Sequence, residues 1–264
     1  MLETNDRASY HVRAAARTLQ VIRCFGAETP RLSLSDIARA ADLDRATARR
    51  LLLTLRDLGY VRQEGRDFSL TPRVLELGYA FLSGLSLVEI ARPYLQAVAH
   101  RLHETASLTA LDGDDVIYLD LASSSRIAAV QIKVGTRFRA HATSVGRVML
   151  ADLPVDELEA VLERVEHDER TERTVRSAEE LRHEIHKAGE QGWAIVDQEL
   201  EIGLTGVAAP IRDRSGRVVA AVNVSAHSNR RALDDLAKVY VPEIQQTAAA
   251  IAAELLHSSP ARTT

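Results

Sequence analysis

The stretch Leu32–Gly59, LSLSDIARAADLDRATARRLLLTLRDLG, constrains this chain more than any other. Ser33 with Asp36 three residues on sets a hydroxyl and a carboxylate beside the free N–H groups of a starting helix. Ile37, Ala38 and Ala41 form the buried stripe of that short helix. Ala41-Asp42-Leu43-Asp44 makes a turn, and Asp44 caps a second helix with the stripe Ala48, Leu51, Leu52, Leu55 and Leu58. With that side buried, Ala46, Arg49 and Arg50 must face solvent, flanked by Arg45 and Thr47 near the N-terminal end.

Outward guanidinium groups and small side chains on a second short helix are what a helix-turn-helix places in the major groove. Arginine can bond guanine O6 and N7 together, and threonine or alanine can meet a thymine methyl. A solvated basic face is the alternative, and two neighbours weigh against it. Tyr60–Leu70 reads as a hairpin wing, with Gly65 at the turn and Val61, Phe68 and Leu70 as apolar contacts. Residues 1–73 hold 13 Arg, no Lys and 9 acids, a charge of +4 within a chain of −4. A basic head on an acidic body is an electrostatic address for double-stranded DNA. The candidate DNA contacts are Ser33, Arg45, Ala46, Thr47, Arg49 and Arg50, with Arg62 and Arg66 on the wing.

The 264 residues suffice for two cores. The expected division is a disordered arm over 1–10, a winged helix-turn-helix over 11–72, a linker helix over 73–86 and a second domain over 87–264. Ahead of the helix-turn-helix, Val12–Gly26 reads as a helix that buries Ala15, Leu19, Ile22 and Phe25 or Cys24. The linker helix starts at Pro72 and carries Val74, Leu75, Gly78, Phe81, Leu82 and Leu85. That surface exceeds what a small wing can cover, so it is expected to pack on a second subunit, with packing inside one chain as the alternative.

Leu87–His103 reads as a further helix. Beyond it, Ser107–Leu111 and Val116–Leu119 flank the turn Asp112–Asp115 as a hairpin, and Ile127–Ile132 and Lys133–Arg139 read as extended chain. Helices are expected over Thr143–Leu153, Val155–Glu163 and Ala178–Gln191, the last stopped by Gly192. Strands follow at Trp193–Val196, Gly206–Ile211 and Val218–Ser225, and then a final helix, Leu233–His257, which Pro242 must kink or restart. The fold class is α+β, with an antiparallel sheet and flanking helices in the second domain rather than a parallel nucleotide-binding sheet.

Catalytic and metal signals are weak. His183, Glu184 and His186 lack the i, i+4 histidine spacing of a zinc helix, and no G-x-S-x-G elbow surrounds Ser144 near His141. Phosphate-binding glycine patterns are absent, and Cys24 alone supports neither a disulfide nor a cysteine-based metal site within one chain. No cofactor and no metal are expected. No apolar run reaches membrane-spanning length and Met1–Tyr10 is unlike an export signal, which points to a cytoplasmic protein without membrane contact. A small-organic-acid enzyme with an appended DNA-binding head is the competing reading, and it would need an acid–base pair that the sequence does not supply.

Three segments carry a family resemblance: LSDIARAADLDRATARRLLLTLRDLGYV (34–61), VGTRFRAHATSVGRVMLADLP (134–154) and QGWAIVDQELEIGLTGVAAPIRDRSGRVVAAVNVS (191–225). They resemble the IclR family of bacterial transcriptional regulators, and VDQELE and VAAVNVS are similar to its β-ketoadipate branch, which controls protocatechuate and 4-hydroxybenzoate catabolism. The resemblance implies a winged helix-turn-helix, a linker helix and a GAF-like effector domain, acting as a homodimer or dimer of dimers on palindromic operators. It implies an effector pocket for a small aromatic or dicarboxylic acid. Its lining would be Thr143, Ser144, Val145, Gly146 and Met149 at the helix start, Val196, Leu204 and Gly206, and Asn223 and Ser225 on the last strand. Helix-terminal N–H groups and hydroxyls suit a carboxylate, although Thr143 or Ser144 could serve only as a cap. The chain departs from the family at Arg139, where proline is more common, and at Gly206, where a larger side chain is common; the latter is expected to enlarge the pocket for an aromatic ring.

Overall fold

The computed structural model describes residues 12–26, 28–77, 86–123, 132–165, 171–227 and 233–257. The chain divides into two compact units, 1–84 and 85–264. The expected arm over 1–10 and Gly78, Phe81, Leu82 and Leu85 of the linker helix lie outside the described residues, as does most of Ile127–Ile132.

In the first unit, α1 (Arg13–Arg23) is followed by the short strand β1 (Leu32–Ser33), α2 (Leu34–Ala40), α3 (Arg45–Asp57), β2 (Val61–Glu64) and β3 (Asp67–Leu70). Both expected caps form. The Ser33 hydroxyl accepts from the Asp36 amide at 3.3 Å, and Asp44 Oδ1 accepts from the Thr47 amide at 2.8 Å. Ile37, Ala41, Leu52, Leu55, Val61 and Phe68 close the core, joined by Val21 from α1. Ala15 and Leu19 are corrections: both are exposed, Leu19 by 57%, whereas Val21 is fully buried. The helix turns its Val21, Ile22 and Phe25 side inward, so Leu19, two positions before Val21, falls on the outer face. Leu58 is also exposed, because α3 ends at Asp57 and no longer holds it on the stripe.

Strands β2 and β3 pair around Gly65, whose φ of +63° is the left-handed conformation the turn needs. β1 adds a third strand on β3, pairing Leu32 with Phe68. Pro72 opens a 3₁₀ turn (Pro72–Val74) capped by the Thr71 hydroxyl.

The Asp44 cap carries a pH dependence. Its hydrogen bond from Thr47 holds the Asp44 carboxyl below the usual aspartate range. The cap therefore stabilises the folded state above the unfolded aspartate pKa, and this is lost as pH falls through the lower folded value. We expect Asp44→Ala to destabilise the first unit at pH 7, with the difference from wild type closing at acid pH, as measured by exchange of the α3 first-turn amides.

The second unit runs α4 (Ser86–Leu102), β4 (Thr105–Asp112), β5 (Asp115–Ser123), β6 (Arg137–Arg139), a 3₁₀ turn (Ala140–Ala142), α5 (Ser144–Leu150), α6 (Val155–Glu163), α7 (Ala178–Gln191), β7 (Ala194–Asp197), β8 (Leu204–Arg212), β9 (Val218–His227) and α8 (Leu233–His257). The six strands form one antiparallel sheet in the order β6-β5-β4-β9-β8-β7. Alternation along β9 sorts its side chains by face. Ala220, Val222 and Val224 meet Leu95 and Val98 of α4 and Ile244 and Ile251 of α8, while Ala221 packs on the other side with Val145 and Leu150 of α5 and Ile185 of α7. Helices thus cover both faces. Lys133–Arg139 is corrected in part: Lys133–Thr136 is a turn with Gly135 at φ +87°, and only Arg137–Arg139 is extended. Pro242 does not restart the last helix, which runs as one element from Leu233 to His257.

The pairing of β4 with β5 slips at Leu108/Thr109, so that Leu108 faces Asp120 while Thr109 faces Tyr118. This bulge leaves Leu119 as the extra residue and sends two successive side chains toward α4. Leu119 packs in the α4 core, and Asp120 is buried in a two-pronged pair with Arg92, both N···O distances being 3.0 Å.

Candidate functional site

On α3, Arg45, Ala46, Arg49 and Arg50 are exposed and Thr47 is half-buried, opposite the fully buried Ala48 and Leu52. The cationic row therefore lies on the solvent side, where a groove could receive it. Ser33 is committed to its helix, since its hydroxyl also donates to Asp36 Oδ2 at 2.6 Å. Arg62 lies along the wing, donating to Ser69 Oγ at 3.0 Å with Glu64 at 3.4 Å, and Arg66 is exposed next to the Gly65 turn.

In the second unit, β5, β7, β8, β9 and the start of α5 enclose a small cavity. Thr143, Ser144, Val145, Val196, Leu204, Gly206, Asn223 and Ser225 line it, all of them expected from sequence. Gly146 and Met149 do not. Met149, also on α5, is buried in the core with Leu181 and Ile185 of α7, and Gly146 presses against the 3₁₀ turn, where a Cβ would stand 1.9 Å from the Ala140 carbonyl oxygen. Tyr118, Ile132, Ala142 and Leu200 complete the wall and were missed. No periodicity marks them, because they come from a strand three elements upstream, a loop, a 3₁₀ turn and the β7–β8 connection.

Gly206 does not enlarge the cavity as expected. A Cβ there would lie 2.7 Å from Ser144 Oγ and 3.9 Å from Asn223 Nδ2, so the Ser144 hydroxyl already fills the place of the missing side chain. Thr143 acts as the helix cap: its hydroxyl accepts from the Gly146 amide at 3.0 Å and donates to the Ala140 carbonyl at 3.2 Å. Asn223 accepts from the Ser107 hydroxyl and donates to Ser225 Oγ at 3.3 Å, making a chain of neutral groups along β4 and β9. The cavity is small: about 30 Å³ is accessible to the centre of a water molecule. A ring needs more room than this, so its entry would have to move part of the wall.

Close in the chain to the lining residues Val145 and Leu200, Arg147 of α5 and Glu199 of the β7–β8 connection form a buried ion pair at 2.6 Å, their side chains 3% and 9% exposed. Arg147 Nε also donates to the His141 carbonyl at 3.2 Å, and Glu199 Oε2 accepts from the Val175 amide at 3.3 Å. The Glu199 carbonyl accepts from the Thr174 hydroxyl at 2.8 Å. The pair anchors the loop that carries Leu200 into the cavity. No cluster of three or more His, Cys, Asp or Glu able to hold a metal occurs among the described residues.

Known proteins match both units. Residues 14–65 fit the model of the IclR helix-turn-helix domain, and residues 79–253 fit that of the bacterial transcriptional regulator IclR C-terminal domain. The chain belongs to the IclR family of bacterial transcriptional regulators. It is 41% identical to the Pca regulon regulatory protein of Pseudomonas putida over 228 residues, covering 86% of this chain and 78% of that protein. Among solved structures, a transcriptional regulator from Rhodococcus sp. RHA1 is 50% identical, with a TM-score of 0.81 over 93% of this chain and 98% of that one. An IclR homolog from Microbacterium hydrocarbonoxydans, solved in complex with 4-hydroxybenzoate, is 26% identical, with a TM-score of 0.83 over 93% of this chain and all of that one. The winged helix-turn-helix, the α+β second unit and the resemblance to regulators of the β-ketoadipate branch all stand with these matches. These IclR relatives are regulators of transcription. No described helix of this family member is long and apolar enough to cross a membrane.

Proposed function

We propose that this IclR-family regulator controls aromatic-acid catabolism from the cytoplasm, as a homodimer or dimer of dimers whose hold on an operator responds to a small organic acid and which catalyses no reaction. The exposed row Arg45, Arg49 and Arg50 above a fully buried Ala48 and Leu52 is the observation that carries the DNA half. Arg49 and Arg50 read bases or phosphates, Arg45, Ala46 and Thr47 complete the helix face, and Arg66 reaches backbone from the wing. Arg62 and Ser33 contribute by holding the wing and α2 in place, given their internal hydrogen bonds.

The cavity supports the effector half. The Microbacterium relative holds 4-hydroxybenzoate, and the P. putida relative regulates the Pca regulon. A ring acid in this chain would wedge apart α5 and the β7–β8 connection, and that conformational difference is what lets binding bias a regulator. The test uses operator fragments that the full chain selects from random-sequence DNA. Arg49→Ala is expected to cost about 1–3 kcal/mol on the selected operator at fixed salt. Wild-type binding is expected to change when 4-hydroxybenzoate or 3,4-dihydroxybenzoate is added. Unchanged operator affinity in Arg49→Ala overturns the contact, and no response to either acid overturns the effector reading.

A further inference from the structure

We infer that the cavity selects a hydroxylated aromatic monocarboxylate over a dicarboxylate, with Tyr118 as the residue that reads the ring hydroxyl. The inference rests on the effector reading above and deepens it. Its first ground is charge: among the described residues no Arg, Lys or His lines the cavity. The buried guanidinium of Arg147 is not part of that lining and is taken by Glu199. Among the described residues of the lining a carboxylate meets only neutral donors, and a second buried carboxylate finds no cation there to offset its lost hydration.

The second ground is how the donors are distributed. Ser144, Asn223 and Ser225 converge around Gly206, with Ser144 Oγ 2.7 Å and Asn223 Nδ2 3.9 Å from where a Gly206 Cβ would stand. Asn223 spends one N–H on Ser225 and its carbonyl oxygen on Ser107, so its second N–H and the Ser144 and Ser225 hydroxyls remain as three donors close together. That cluster suits one carboxylate. Tyr118 stands apart from it. Thr109 pairs with both Tyr118 and Ala221, which places Tyr118 two strands across and two residues along from Asn223, about 12 Å at Cα.

The Tyr118 ring packs edge-on against Phe138, at 5.8 Å and 84°, and the residue is 4% exposed. Its hydroxyl makes no hydrogen bond within the described residues, and the residue is part of the cavity lining. Burial pushes the phenol up to about 12, so it stays protonated at physiological pH. A phenol can give and take one hydrogen bond at once, which matches a ring hydroxyl better than a second anion. The far wall is apolar, formed by Val145, Val196, Leu200 and Leu204.

Isothermal titration of the full chain with 4-hydroxybenzoate, benzoate and adipate tests this. Wild type is expected to bind 4-hydroxybenzoate at least about tenfold more tightly than adipate, the gap reflecting the second carboxylate. In Tyr118→Phe, the preference for 4-hydroxybenzoate over benzoate is expected to shrink by about five- to tenfold, the worth of one neutral hydrogen bond. A purely packing role for Tyr118 would weaken both acids alike and leave their ratio untouched. Adipate binding as tightly as 4-hydroxybenzoate, or an unchanged ratio in Tyr118→Phe, overturns the inference. If Tyr118→Phe fails to fold, the wild-type comparison with adipate still decides the selectivity, and equal wild-type affinity for 4-hydroxybenzoate and benzoate would show that no group reads the ring hydroxyl. If adipate binds best and shifts operator affinity, the effector reading survives and the selectivity falls; if none of the acids binds, both fall.

Discussion

Gly146→Ala is expected to destabilise the second unit by about 3–5 kcal/mol, at the upper end of what overpacking costs. The reason is local. Thr143 turns α5 back against the 3₁₀ turn, and the new Cβ would stand 1.9 Å from the Ala140 carbonyl oxygen and 2.4 Å from its carbon. Neither is the far end of a flexible side chain, so relief requires moving backbone. Moving it would break the cap from Thr143 Oγ1 to the Gly146 amide and the Thr143–Ala140 hydrogen bond together. Urea denaturation followed by circular dichroism reads the effect, and a loss under about 1 kcal/mol would show that α5 can slide outward. Because Ser144 and Val145 line the cavity on the same helix, any folded Gly146→Ala protein should also bind effector poorly.

Arg147→Ala is expected to cost a similar amount, about 3–5 kcal/mol, for a different reason. It leaves Glu199 as a buried carboxylate whose side chain keeps, among the described residues, the Val175 amide as its partner. The pair as a whole need not stabilise strongly, since both charges are desolvated. The double variant Arg147→Met with Glu199→Gln, which removes both charges, should therefore recover much of the single variant's loss. Double-mutant analysis of urea midpoints checks this. Equal losses in the single and double variants would mean that lost packing, and not the stranded charge, sets the cost.

Much of the first unit was legible locally. Ser33, Asp44 and Gly65 each act within three or four residues of chain, and the stripe Ala48, Leu52 and Leu55 follows from helical period alone. The stripe of α1 failed at Leu19, because several registers of an apolar-rich helix look alike until its partner chooses one. In the second unit, eight of the cavity residues were reached through family resemblance and none through periodicity. Tyr118 escaped because its position over the cavity depends on the strand order β5-β4-β9, and Asp120 because a bulge turned it toward Arg92. Gly206 did not open the space expected of it, since only the fold brings Ser144 into the space its side chain would need.

From sequence alone come the helix-turn-helix, its caps, its outward arginines, the basic head on an acidic body and the antiparallel α+β character of the second unit. These depend on short-range hydrogen bonding, on periodicity and on summed charge, all of which are written along the chain. Tertiary structure alone decides which hydroxyls share a cavity, that no cation among the described residues lines it, and that Arg147 is committed to Glu199. Those facts join residues from about 30 to more than 100 positions apart, and such contacts are set by packing and strand pairing that no local pattern encodes.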